Sequence, residues 1–134
     1  MITKILVPLD GSPTAEAVLE PVLSLARQLQ AEVTLLAIES GQAALPATYE
    51  RQVYEERAYL KVQVLAFEEQ GLTAHYVVRT GDPAAEIVDY ATVNKMDMIA
   101  MSTHGRTGLT RALMGSVAET VVRQSSVPVL LVRA

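Results

Sequence analysis

The chain contains no cysteine, and that excludes a disulfide framework, a thiolate metal site and a cysteine nucleophile together. It has no excess of positive charge either. Eleven lysines and arginines stand against 15 aspartates and glutamates, the net charge is −4 and the pI is about 5.1, so no field draws in the phosphate backbone of nucleic acid. No apolar run reaches the ~20 residues needed to cross a bilayer. The opening run Ile5-Leu6-Val7-Pro8-Leu9 stops at Asp10, too soon for a secretory core. These absences predict a cytoplasmic protein with neither nucleic acid nor membrane as partner.

Internal repeats, low-complexity tracts and dividing linkers are also missing. At 134 residues the chain has the usual size of one domain, so residues 1–134 are expected to share one core. Half the residues are apolar and 19% are charged, a globular balance.

Apolar, β-branched segments alternate with longer segments of helical period. That order predicts an open, twisted, five-stranded parallel sheet with helices on both faces. The strands are expected at Lys4 to Leu9, Glu32 to Ile38, Thr73 to Val78, Asp97 to Ser102 and Val127 to Val132. A first helix is capped by Ser12 with Pro13 at its first position, and turns Ala15, Val18, Val22, Leu25, Ala26 and Leu29 inward. Pro21 lies inside it and predicts a kink near Ala17. A second helix runs from about Tyr49 to Gln70, with Val53, Leu60, Val64 and Phe67 inward and Glu50, Arg51, Glu55, Glu56 and Arg57 in solvent. A third starts at Gly81-Asp82-Pro83, and a fourth near Gly115-Ser116. Residues Ser40 to Ala47 read as a connection.

In such a sheet ligands meet the carboxyl ends of the strands, where the strand order reverses. The turn from Ser102 to Ser116 is the most informative of those ends. Gly105 and Gly108 allow tight turns close to a ligand, and Gly115-Ser116 puts main-chain amides at a helix start, where an anion is favoured. Phosphate fits there, although glycines beside helices also serve as plain caps, and the lysine and spacing of a Walker loop are missing. Each helix dipole is worth only ~0.3–1 kcal/mol, while micromolar affinity needs about 8 kcal/mol. A base and a sugar must be held as well.

The loop resembles the nucleotide motif of the universal stress protein family, Gly-x2-Gly-x9-Gly-(Ser/Thr). Its second glycine falls at Gly105 and its last pair at Gly115-Ser116, nine residues on, while Ser102 replaces the first glycine. The likeness extends to Lys4-Ile5-Leu6-Val7-Pro8-Leu9-Asp10-Gly11-Ser12, to Thr80-Gly81-Asp82-Pro83-Ala84-Ala85-Glu86-Ile87 and to Ser126-Val127-Pro128-Val129-Leu130-Leu131-Val132. It implies a Rossmann-like sheet of the adenine nucleotide alpha hydrolase type with strand order 3-2-1-4-5. It also implies an ATP site with Mg²⁺ as companion ion. Adenine would lie against Ile38 beside Pro8 and Leu9, ribose near Asp10, and the phosphates on Gly105, Gly115, Ser116 and Val117. Met101, Ser102, His104, Arg106 and Gly108 complete the implied site. A homodimer through the last strand is implied too, with protein partners unidentified.

Asp10 serves either the ribose and a phosphate-bound Mg²⁺ or a turn. Arg106 and Arg111 either fork onto phosphate or face water. His104 has no carboxylate or nucleophile at a recognisable spacing, so it reads as bonded to backbone rather than catalytic. His75 forms no metal-ligand cluster with it. The expected function is a nucleotide-dependent stress-response or signalling module with little or no turnover, since no base or lysine stands ready for phosphoryl transfer. The alternative is a dimeric interaction protein that uses no nucleotide.

Overall fold

The computed structural model describes residues 1–39, 46–103 and 115–134. Among these residues five strands form one parallel sheet: β1 (Lys4–Pro8), β2 (Glu32–Glu39), β3 (Ala74–Thr80), β4 (Met98–Thr103) and β5 (Val129–Arg133). Their order is β3-β2-β1-β4-β5. The helices are α1 (Pro13–Glu16), α2 (Leu19–Leu29), α3 (Pro46–Glu69), α4 (Pro83–Val93) and α5 (Ser116–Gln124).

Alternation along each strand explains how the layers are covered. Ile5 and Val7 of β1, with Val33 and Leu35 of β2, face a core closed by Val22 and Ala26 of α2 and by Leu60, Val64 and Phe67 of α3. The residues between them, Leu6 and Leu36, face a second core with Ile99 and Met101 of β4, Ile87 and Ala91 of α4, and Val121 of α5. The central strands are therefore buried on both faces, so they read as unbroken apolar runs.

Several expected boundaries move for local reasons. The first helix is two helices: α1 and α2 part at Ala17 and Val18, where Pro21 predicts the kink. Pro21 falls in the first turn of α2, whose amides need no helical acceptor. Leu29 is exposed rather than inward, because α2 ends there and Gln30 turns the chain with φ 55°. α3 begins at Pro46, so Pro46 and Ala47 are helical and not part of a connection; Ser40 to Leu45 lie outside the described residues. β3 runs on to Thr80, because Ile38 and Glu39 still pair with Arg79 and Thr80. β5 starts at Val129, not Val127. The Ser125 hydroxyl donates to the Val127 carbonyl at 2.7 Å and accepts its amide at 3.0 Å, which takes Val127 out of the ladder. No helix of the described residues is long and apolar enough to cross a membrane.

Candidate functional site

The strand order reverses between β1 and β4, and a cleft of about 510 Å³ opens at their carboxyl ends. Pro8, Leu9 and Asp10 line it from the end of β1, Leu36 and Ile38 from β2, and Met101, Ser102 and Thr103 from β4. The starts of two helices close the opposite side: Pro83 and Ile87 of α4, and Gly115, Ser116, Val117 and Ala118 at α5. Thr14 and Ala15 of α1, with Ser12 before them, make a further wall.

The turn after β1 is built by its own residues. Asp10 Oδ1 accepts the Ser12 amide at 2.9 Å, and Ser12 Oγ accepts the Ala15 amide at 3.1 Å as the cap of α1. Gly11 between them has φ +84°, a left-handed turn that an L side chain resists. On the far side, Ser102 Oγ donates to the Ala15 carbonyl at 3.1 Å. The Ser102 hydroxyl is thus engaged with α1.

Gly115 is the N-cap of α5 in an extended conformation, and no side chain caps it. The first amides of a helix have no acceptor within the helix. Those of Ser116, Val117 and Ala118 belong to residues that line the cleft, so this end of the hollow offers donors and the positive pole of a helix dipole. Asp10 is exposed, and Glu56 of α3 is half-buried and hydrogen-bonded to Glu39 at the end of β2. Glu56 is therefore not the solvated residue its sequence neighbours predict. Burial, followed by the Glu39 bond and the charges of Glu39 and Asp10, raises its pKa to about 7. Tyr59 donates to Glu16 Oε2 at 2.5 Å; burial first, and then that carboxylate, holds its phenol above the ordinary range.

Of the residues singled out in sequence, Pro8, Leu9, Asp10, Ile38, Met101, Ser102, Gly115, Ser116 and Val117 are brought to this one cleft. His104, Gly105, Arg106, Gly108 and Arg111 lie outside the described residues. His75 is on β3, 3.9 Å from Glu32 and away from the cleft. Sequence reasoning marked no site residue at Thr14, Ala15, Leu36 or Ala118; Ser12, Pro83 and Ile87 fell within the segments of family likeness and Thr103 within the turn from Ser102 to Ser116, without being named as site residues. The sheet-edge rule and the caps together pointed toward α1 and α4; what was missing was the distance between elements.

The sequence matches the profile of the universal stress protein family over residues 1–133. The chain belongs to that family. Universal stress protein MJ0531 of Methanocaldococcus jannaschii is 37% identical over 139 residues, covering 97% of this chain and 81% of its own. Universal stress protein MJ0577 of the same organism is 32% identical over 155 residues, covering 99% of this chain and 96% of its own. Its solved structure matches this universal stress protein fold with a TM-score of 0.85 and 31% identity, over 100% of this chain and 97% of that one. A universal stress protein from Archaeoglobus fulgidus in complex with dAMP shares the fold with a TM-score of 0.76 and 20% identity, over 99% of this chain and 98% of that one.

Proposed function

We propose that this universal stress protein belongs to the ATP-binding subgroup and holds ATP in the cleft between β1 and β4. It acts as a nucleotide-dependent stress-response or signalling module with little or no turnover, in the cytoplasm. The observation that carries the reading is the pairing, in one hollow, of an apolar end with an amide-rich end. Ile38 and Pro8, both half-buried, suit a base, and the start of α5 suits phosphate. The volume falls in the range of small-molecule sites, roughly 300–1,000 Å³. The A. fulgidus relative in complex with dAMP supports an adenine nucleotide as the ligand class.

In this reading adenine lies against Ile38 beside Pro8 and Leu9, ribose near Asp10, and the phosphates on Gly115, Ser116 and Val117. Mg²⁺ would be held chiefly by the phosphates. Among the described residues Asp10 is the only carboxylate that lines the cleft, and no group of three acidic or histidine side chains gathers into a metal cluster. Asp10 is also the only ionisable side chain of the described walls.

Titration of nucleotide-stripped protein with ATP, with and without Mg²⁺ and followed by calorimetry, tests the reading. Saturable binding supports it, and no heat at millimolar ATP rejects it in favour of a dimeric interaction protein that uses no nucleotide. Dimerisation through β5 is part of either reading. β5 is an edge strand on which Val129, Leu130, Leu131 and Val132 are all only half-buried, with Pro128 just before it. Sedimentation at twice the 14.5 kDa chain mass is the expected result, and a monomer at every concentration removes the dimer.

A further inference from the structure

We propose that Ser102 is a positioning residue that sets the width of the cleft by holding α1 against β4. α1 is a helix of four residues, cut off from α2 at Ala17 and Val18, so it draws little rigidity from helix cooperativity. It nevertheless forms a wall of the cleft through Thr14 and Ala15. Among the described residues, two side-chain hydrogen bonds tie it to the rest of the fold. Tyr59 of α3 donates to Glu16 on one side, and Ser102 of β4 donates to the Ala15 carbonyl on the other.

The Ser102 bond closes a continuous chain across the point where the strand order reverses. Asp10 Oδ1 accepts from the Ser12 amide, Ser12 Oγ accepts from the Ala15 amide, and the Ala15 carbonyl accepts from Ser102 Oγ. The turn after β1 and the end of β4 are thereby joined through α1. A glycine at this position, as in the family motif this loop resembles, has no hydroxyl to make the last link. Ser102 thus replaces a small residue at the floor of the cleft with a tether that fixes its wall before a ligand arrives. A site already at its bound width spends less binding energy on ordering itself.

For the ligand, the inference rests on the ATP reading above; for α1, it stands alone. Amide hydrogen exchange of the free protein is read at residues 15–18, alongside ATP titration, for Ser102→Ala, Ser102→Gly and Ser102→Thr. Loss of one neutral hydrogen bond predicts about fivefold faster exchange there and about fivefold weaker ATP binding in the alanine and glycine variants. The threonine variant, which keeps the hydroxyl, recovers both. Core amides of β1 exchange as in the unaltered protein, which separates release of α1 from general destabilisation. Unchanged exchange at residues 15–18 in Ser102→Ala overturns the proposal. So does a change confined to Ser102→Gly, because side-chain bulk would then be the cause. If the unaltered protein does not bind ATP, the ATP reading fails while the exchange measurement still decides the role of Ser102.

Discussion

Glu56 on α3 and Glu39 at the end of β2 share a hydrogen bond, which requires a proton on one of the two carboxyls. Burial and this neighbour raise the Glu56 pKa from 4.5 to about 7. Between those values the folded chain keeps a proton that the unfolded chain releases. The stability this group contributes is complete below the unfolded pKa and is lost as the pH rises through about 7.

Thermal melts from about pH 5 to about pH 8 should therefore show a falling Tm, and Glu56→Gln should flatten that slope, since an amide donates to Glu39 without titrating. A slope unchanged in the variant assigns the pH dependence elsewhere. Asp97 acts in the opposite sense and in another window. Its Oδ2 accepts from the Thr3 amide at 3.0 Å, the Thr3 hydroxyl at 3.1 Å and the Lys4 amide at 3.0 Å, and these bonds lower its pKa below 3.8. Its contribution is present above that value and disappears on acidification.

Gly115→Asp should separate binding from folding. Gly115 has φ −66° and ψ 163°, a conformation open to any residue, and aspartate is a good N-cap, worth a few tenths of a kcal/mol over glycine. The variant should melt at or slightly above the unaltered protein. Its carboxylate would meet phosphate at short range, a repulsion of about 1–4 kcal/mol, so ATP affinity should fall tenfold or more in the calorimeter. Equal affinity in both proteins would remove the start of α5 from the phosphate site.

Gly11→Ala probes the turn after β1. No atom lies within 4 Å of an added Cβ, so space is not the obstacle, but φ is +84°. A side chain in that region costs about 1–2 kcal/mol. A Tm lowered by several degrees is expected, and an unchanged Tm would show that the turn relaxes freely.

Leu6→Ala tests the core that faces α4 and α5. Leu6 is fully buried between the central strands and is not part of the cleft lining. Urea unfolding should show a loss of about 2–5 kcal/mol with an unchanged m-value. A loss below 1 kcal/mol would mean the site collapses around the cavity.

What the sequence by itself determined was the sheet, the helices and their order along the chain. Period and punctuation are local properties: unbroken runs such as Ile5-Leu6-Val7 mark strands buried twice, and Ser12-Pro13 and Asp82-Pro83 mark helix starts, capped as expected through the Ala15 and Ala85 amides. Pro21 likewise announced the break between α1 and α2. Only the tertiary structure decided which of these pieces share a hollow. Thr14 and Ala15 carry no motif, and they enter the cleft because the crossing from β3 to β4 sets β4 next to β1. Glu56 looks like its charged neighbours until α3 is packed against the end of β2, where desolvation and a second carboxylate change its chemistry. Ser102 is a substituted glycine in sequence, and its bond to Ala15 exists because folding brings together residues 87 positions apart. Short-range patterns select local conformation, whereas burial, charge coupling and long-range hydrogen bonds depend on distances that arise only when the elements pack.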